Sequence, residues 1–451
     1  MSAPLPRLAA VTTRTFAQAS HLGEDGLTLG LAPALTPAGL VADPSFFHGF
    51  AAHPQVLARG LLTLADVTAT RYFQYTPTTQ RDPVLTAHGD RLRAECFSAC
   101  NSVYARLDLL PDAFDSGEAS HGTTNVDIGL ATRTALSRVG RERLLHLDVG
   151  SGGLSVSSPQ ETVVERPVEM PGRWVRALGN VAELHHGLAP AFTVGAAHAR
   201  AFVAALPAAT GTGRTGWLVA GPTGVRVAAR PTRGGVHVAG LHRLSAAKRL
   251  LTHVTGMTVH GGAEPGPAAV ELALPGARLV LGLTYEAWRG HSGEGSLLAA
   301  LAGASVVEDA DLVAALLAFE PVVDVPRLAR EAALDDARVR AALAVLAADG
   351  RIGWDLHDAA WFHRELPHDP ARVEKDNPRL VGARRLVADG AVVRVADGWA
   401  VRSRTPGSPD HHVARDAGVA RCTCPWFLAH GTGRGPCAHV LAVQILTEDP
   451  A

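Results

Sequence analysis

Apolar and polar positions along residues 1–300 switch repeatedly between a two-residue and a three-to-four-residue period, the repeats that half-buried strands and amphipathic helices impose. The two-residue pattern predicts strands over Leu144–Val149, Thr162–Val168, Gly216–Ala220, Val225–Ala229, Ala269–Leu274 and Arg278–Leu283. The longer period predicts helices over Ala131–Val139, Arg173–His186, Val194–Leu206 and Ser245–Val254. Glycine- and proline-rich punctuation, such as Gly150–Gly153 and Pro231–Gly235, separates them. The expectation is a mixed α/β N-terminal body of one or two domains, without an internal repeat.

From residue 305 to 367 the pattern changes. Asp311–Phe319 and Val325–Ala333 read as helices, the second with Val325, Leu328, Ala329 and Ala332 at helical spacing. Asp335 or Asp336 is a suitable N-cap for a third helix, Ala337–Ala348, whose Val339, Leu343 and Leu346 form one stripe and which stops at Asp349-Gly350. Arg351–Leu356 and Trp361–Leu366 alternate as two short strands around His357–Ala360. Helix, helix, turn, helix and hairpin is a layout that resembles a winged helix-turn-helix.

A charged, proline-containing linker, His368–Pro378, leads to a third region over residues 388–448. There Ala391–Ala396 and Trp399–Arg404 flank Asp397-Gly398, a strong hairpin signal. His411–Ala414 and Val419–Cys422 are expected as strands and Ala438–Leu446 as a helix. Within this stretch Cys422 and Cys424 form C-x-C, and Cys437 and His439 form C-x-H twelve residues later. Residues i and i+2 of a strand face one side, so Cys422 and Cys424 can reach a single ion. Cys437 and His439 open the last helix, whose positive dipole end favours thiolate. Three sulfurs and an imidazole are a usual structural set for Zn2+, and with four protein ligands no position stays open for water activation. Three of the five cysteines fall within these sixteen residues, so unrelated core thiols are the weaker reading.

C-x-C, a spacer and C-x-H, preceded by hairpin strands and followed by an apolar helix, resembles the SWIM zinc finger, with Cys422, Cys424, Cys437 and His439 matching its ligands and Pro425-Trp426-Phe427 and Val440–Ile445 agreeing with its flanks. The resemblance implies binding to DNA or protein. It also implies company: stand-alone bacterial SWIM proteins are proposed to act beside MoxR-type AAA+ ATPases and von Willebrand A-domain proteins. No ATPase, transposase or ligase sequence accompanies the finger.

Charge refines this picture. The chain has 42 basic and 43 acidic residues and a net charge of −1, without the basic excess of a dedicated nucleic-acid binder. Residues 305–375 hold eight basic and fourteen acidic residues, a net of −6. A DNA-reading helix must approach phosphates, yet the third helix here begins at Asp335-Asp336. That charge suits a protein partner. Residues 376–451 carry a net +2, and Arg394, Arg402 and Arg404 are expected to offer one basic face, the place for any weak DNA contact.

Other signals assign no chemistry. Gly211-x-Gly213-x-x-Gly216 lies between a helix and a strand, the reverse of a dinucleotide fingerprint. Lys248 and Lys375 stand in no Walker A context, and no H-E-x-x-H or G-x-S-x-G occurs. Cys96 and Cys100, four apart, read as small core residues. His185-His186 ends a helix, and His121–Leu130 reads as a turn. Trp426 and Phe427 are suited to packing under the finger or to stacking on a base. Leu312–Phe319 is too short to span a bilayer, no signal-peptide run opens the chain, and five cysteines do not make a disulfide framework. The chain is expected to be cytoplasmic. The sequence therefore reads as a non-enzymatic protein that uses a zinc finger to join a protein partner to a target. The alternatives are a DNA-binding transcriptional regulator and an enzyme with an unrecognised site in residues 1–300.

Overall fold

The computed structural model describes residues 21–22, 26–28, 34–36, 39–41, 45–73, 83–168, 170–211, 213–291, 298, 306–364, 366, 377–403, 405, 407–416, 419–432 and 434–448. The fold is a mixed α+β arrangement, and every strand pairing among the described residues is antiparallel. The body is thus not an α/β fold built on parallel crossovers. Short hairpins link some of its strand pairs, a connection only antiparallel neighbours permit, and others join strands distant in sequence.

The largest sheet has eight strands in the order His121–Asn125, Val84–His88, Leu92–Phe97, Val103–Leu109, Ala277–Leu283, Ala268–Leu274, Gly256–His260, Pro190–Gly195. Two hairpin-linked groups meet at its centre, where Leu107 opposes Leu279 across a long sequence gap. The central strands are buried at every residue, so both faces are covered. Alternation divides their side chains. Leu107 meets helix Pro54–Thr68 at Gly60, while Arg106 and Asp108 point to the opposite face. A second sheet, of five strands, packs Phe46, Phe47, Leu147 and Val149 into the same core.

Helix Gly172–His186 and the hairpin Ile352–Asp355/Ala360–His363 lie on the charged face of the large sheet. His185 does not sit at exposed carbonyls as a helix-ending histidine would; it is buried against Tyr104, and His186 packs between Trp354 and Trp361. Gly179 allows helix Asp336–Ala348 to approach, since a Cβ there would collide with the Ala347 carbonyl oxygen and lie 2.8 Å from Ala348 Cα. Both obstacles are backbone, so Gly179→Ala should lower unfolding free energy by about 1–3 kcal/mol, read from a shifted urea midpoint at unchanged slope.

The same interface holds a network of buried ions. Arg93 Nη2 lies 2.7 Å from Asp355 Oδ2, Arg106 Nη2 lies 2.9 Å from Asp355 Oδ1 and 3.0 Å from Asp108 Oδ2, and Arg278 Nη2 lies 3.4 Å from Asp355 Oδ2. Arg364 of the hairpin meets Glu95 of the sheet at 2.9 Å, and Tyr104 donates to the same carboxylate at 2.6 Å. Phe362 lies among these guanidinium groups, 3.9 Å from Arg93. Burial alone would raise the Asp355 pKa, but Arg106, Arg93 and Arg278 outweigh it and hold the carboxyl well below the usual range. Part of the acidity of residues 305–375 therefore faces the body rather than solvent, because Asp355 and Asp358 meet Arg93, Arg106, Arg278 and Arg91.

Helices Val306–Leu316, Val325–Ala332 and Asp336–Ala348 precede that hairpin. The first ends three residues before Phe319, where a helix was expected to continue. Phe319 takes a φ of 60°, donates its N–H to His363 and accepts at its carbonyl from His88 Nδ1, so tertiary bonds replace helical ones. Leu241–His253 likewise forms a run of 3-10 turns instead of the expected α-helix. Arg243, fully buried in that run, donates to the carbonyls of Ser102 and Thr284 and fixes the segment on the sheet.

The C-terminal part comprises helix Pro378–Ala388, a sheet of Val392–Val395, Gly398–Val401, His411–Asp416 and Val419–Cys422, and helices Pro425–His430 and Ala438–Glu448. The hairpin turn falls at Ala396-Asp397, one residue before the expected Asp397-Gly398. Gly398 opens the next strand at φ 151°, where a Cβ would overlap the Val413 carbonyl oxygen. One continuous apolar core runs from Val313, Leu343 and Trp361 through Leu380 to Cys422, Cys437 and Leu441. No helix among the described residues is long and apolar enough to cross a membrane.

Candidate metal centre

Cys422 is the last residue of its strand, and Cys424 caps helix Pro425–His430, its sulfur accepting the Phe427 N–H at 3.4 Å. Pro425 at the first helical position costs no hydrogen bond, which fixes the turn between the two cysteines. Cys437 stands immediately before helix Ala438–Glu448 and accepts the Val440 N–H at 3.5 Å, while His439 lies in the first turn. Cys422 accepts the Cys424 N–H at 3.4 Å. Each thiol thus faces a backbone donor, and two of them face helix N-termini, an arrangement that favours thiolate.

The four ligand atoms lie within 4.8 Å of one another, and Cys422 Sγ is 3.7 Å from His439 Nδ1. A tetrahedral zinc with Zn–S near 2.3 Å needs ligand separations of about 3.8 Å, so the residues fit that ion. All three cysteines are buried, and the His439 ring rests on His411 with centroids 4.4 Å apart. A hydrogen bond from Cys422 lowers the pKa of the Cys437 thiol. The same bond, with burial, pushes the Cys422 thiol up, and burial raises Cys424. A divalent cation reverses that competition and binds all three as thiolates. Three sulfurs and one imidazole would fill the tetrahedron, so an ion held here would be structural.

Support comes from helix Pro378–Ala388. Arg379 Nη1 donates to the carbonyls of Arg434 at 2.7 Å and Pro436 at 2.9 Å, and its guanidinium lies 4.6 Å from the centre of the Trp426 ring. Trp426 and Phe427 pack on the finger's core, as their packing reading required.

The residues expected to touch a partner separate. Arg394 opposes Trp399 and lies over its ring at 4.5 Å, whereas Arg402 continues the register opposite Ala391. Those positions have opposite parity in the hairpin, so Arg394 and Arg402 do not share the single basic face expected of them; Arg404 lies outside the described residues. Asp335 is the N-cap of helix Asp336–Ala348, accepting the Arg338 N–H at 2.8 Å. Asp336 is exposed and lies 3.5 Å from Arg340. Cys96 stands on a strand rather than a helix face and is buried, while Cys100 lies in the turn beyond it.

The donor set of the C-terminal segment is that of a zinc finger. Residues 408–445 match the family model of the SWIM zinc finger, and the four ligands fall within that match. No curated protein matches the chain. Among solved structures, the Proliferating Cellular Nuclear Antigen from Entamoeba histolytica aligns at 12% identity and TM-score 0.36, covering 53% of this chain and 99% of that one. The PCNA2-PCNA3 complex from Sulfolobus tokodaii aligns at 10% identity and TM-score 0.36, covering 52% and 98%.

Proposed function

We propose that this protein is a non-enzymatic adaptor in which zinc ligation holds the C-terminal half in a partner-binding form. The observation that carries the reading is the shared core: the cysteine ligands pack continuously with Leu343 and Trp361 of the preceding helices and hairpin. Residues 305–367 are read as a winged-helix-like module between a body of residues 1–300 and a finger of residues 388–448, which the order of helices and hairpin supports. Its hairpin lies against the body through buried Asp355 and Phe362, so a wing reaching into DNA is not favoured. The exposed Asp336 at the start of the third helix instead suits a basic protein surface. A MoxR-type AAA+ ATPase and a von Willebrand A-domain protein are the proposed partners by resemblance of the finger, since the chain has no nucleotide-binding loop to supply energy itself.

Asp336→Arg is the cleaner probe of that surface, because Asp335→Arg would also remove a helix cap at a cost of about 1 kcal/mol. Asp336→Arg should slow association with the co-purified partner at low salt, with the difference fading as salt rises, and leave zinc content unchanged. Pull-down from native lysate with mass spectrometry identifies the partner. Recovery of neither an ATPase nor an A-domain protein, together with a small molecule bound in the body, would favour the enzyme alternative.

A further inference from the structure

A cleft of about 430 Å³ opens on the body between helix Ala196–Ala205 and the hairpin of strands Gly216–Gly221 and Gly224–Ala228. Its floor is made by the buried side chains of Phe202, Leu206 and Leu241. The helix wall is low, because Ala201 and Ala205, one turn apart and both exposed, carry only methyl groups. The opposite wall is three consecutive residues of one strand, Val225, Arg226 and Val227. Successive side chains of a strand point to opposite faces, so a cleft that touches all three lies along the edge of the strand.

That edge is open. Strand Gly224–Ala228 is the outermost of its three-stranded sheet and pairs only with Gly216–Gly221. Gly221 and Gly224 flank the two-residue turn Pro222-Thr223, and the bond between first and fourth residues of such a turn makes them a hydrogen-bonded pair. Bonded and non-bonded pairs alternate along an antiparallel ladder. Arg226, opposite Val219, is therefore bonded inward, while Val225 and Val227 stand at non-bonded positions opposite Ala220 and Leu218. The N–H and C=O groups of Val225 and Val227 point away from the sheet, and no hydrogen bond reaches them among the described residues. Unpaired edge groups of this kind are a template for another strand.

We infer that the cleft receives an extended peptide segment of a partner protein, which adds as a fourth strand along Val225–Val227. Main-chain bonds to the open edge give it affinity, and its alternate side chains give it specificity. One set lies beside Val225 and Val227, which pack on the core with Phe202 and Leu206, and is apolar. The other lies beside Arg226, which is exposed and meets no carboxylate among the described residues, and is acidic. A small apolar acid could cover the floor and reach Arg226, but it leaves the outward backbone groups of two residues unanswered. The cleft belongs to the body, so it stands apart from the finger and from the partners proposed above.

Full-length protein is panned against a random heptapeptide library, and a fluorescein-labelled copy of the enriched peptide is titrated by anisotropy. Enriched sequences should alternate apolar and acidic residues. N-methylation of the peptide at alternate residues of one parity should weaken binding roughly 2- to 10-fold per methyl, the worth of one backbone hydrogen bond. Methylation at the other parity, which faces away from the edge, should change little. Ala205→Trp should fill the cleft and abolish binding, and Arg226→Glu should weaken it most at low salt. Arg402→Ala, on the finger, should leave it unchanged. Failure to enrich any peptide would overturn the inference, as would a peptide that binds Ala205→Trp as well as wild type. Indifference to the parity of N-methylation would overturn it too, since the peptide would then not have joined the strand. Dodecanoate binding that depends on Arg226, with no peptide enriched, would assign the cleft to a small apolar acid instead.

Discussion

Cys437→Ser should release zinc and abolish the ordered structure of residues 408–445. Apparent ligation energies for structural zinc sites run at about 10–16 kcal/mol near neutral pH, as large as the whole stability of an ordinary domain, about 5–15 kcal/mol. A unit of that size cannot replace such a term with its few buried apolar side chains. The loss should also reach beyond the finger, because Cys422, Cys437 and Leu441 share a core with Val313, Leu343 and Trp361. Hydrogen exchange should show protection lost over residues 378–448 and reduced over residues 306–348. Strands Val84–His88, Leu92–Phe97 and Ala268–Leu274 belong to the other core and should keep theirs. Unchanged exchange in the finger would show that its fold does not depend on the metal.

Asp355→Ala should be the most damaging single change at the interface between the large sheet and the hairpin. The buried ion network is no proof of net stabilisation, since desolvating the charges offsets much of their attraction. Removing one partner is different. Arg93 and Arg106, both fully buried, and Arg278 would be left to share the single carboxylate of Asp108. The expected cost is about 3–5 kcal/mol in urea unfolding. The exposed pair Asp336–Arg340 provides the contrast, at less than about 1 kcal/mol. Asp355 also gives an acid dependence. Its folded pKa lies below the unfolded value, so its contribution is complete above the ordinary carboxylate range and declines as pH falls beneath it. Wild-type stability should therefore fall in acid more steeply than that of Asp355→Ala.

Local chemistry carried most of what the chain disclosed before its fold was seen. The zinc ligands stand within eighteen residues, and the C-x-C and C-x-H spacing marks Cys422, Cys424, Cys437 and His439 as one set, although Cys424 caps a helix instead of continuing the strand. Helix Asp336–Ala348 was legible through its cap at Asp335 and its apolar stripe, and most of the expected strands appeared within a residue or two of their pattern, but Val84–His88, Leu92–Phe97 and Val103–Leu109 of the large sheet were not among them. Long-range pairing was not legible. Nothing local to Leu107 names Leu279 as its neighbour, so the antiparallel order of the large sheet stayed hidden. The charge count over residues 305–375 misled for the same reason, because Asp355 belongs electrostatically to arginines some 77 to 262 positions away.

Metal analysis of the full-length chain, purified without added zinc, tests the central claim most directly. Wild-type protein should contain one zinc per chain, because Cys422, Cys424, Cys437 and His439 are the single such ligand cluster among the described residues. The Cys437→Ser variant should contain none above background. Wild-type protein that carries no zinc, yet keeps exchange protection over residues 408–445, would contradict the account.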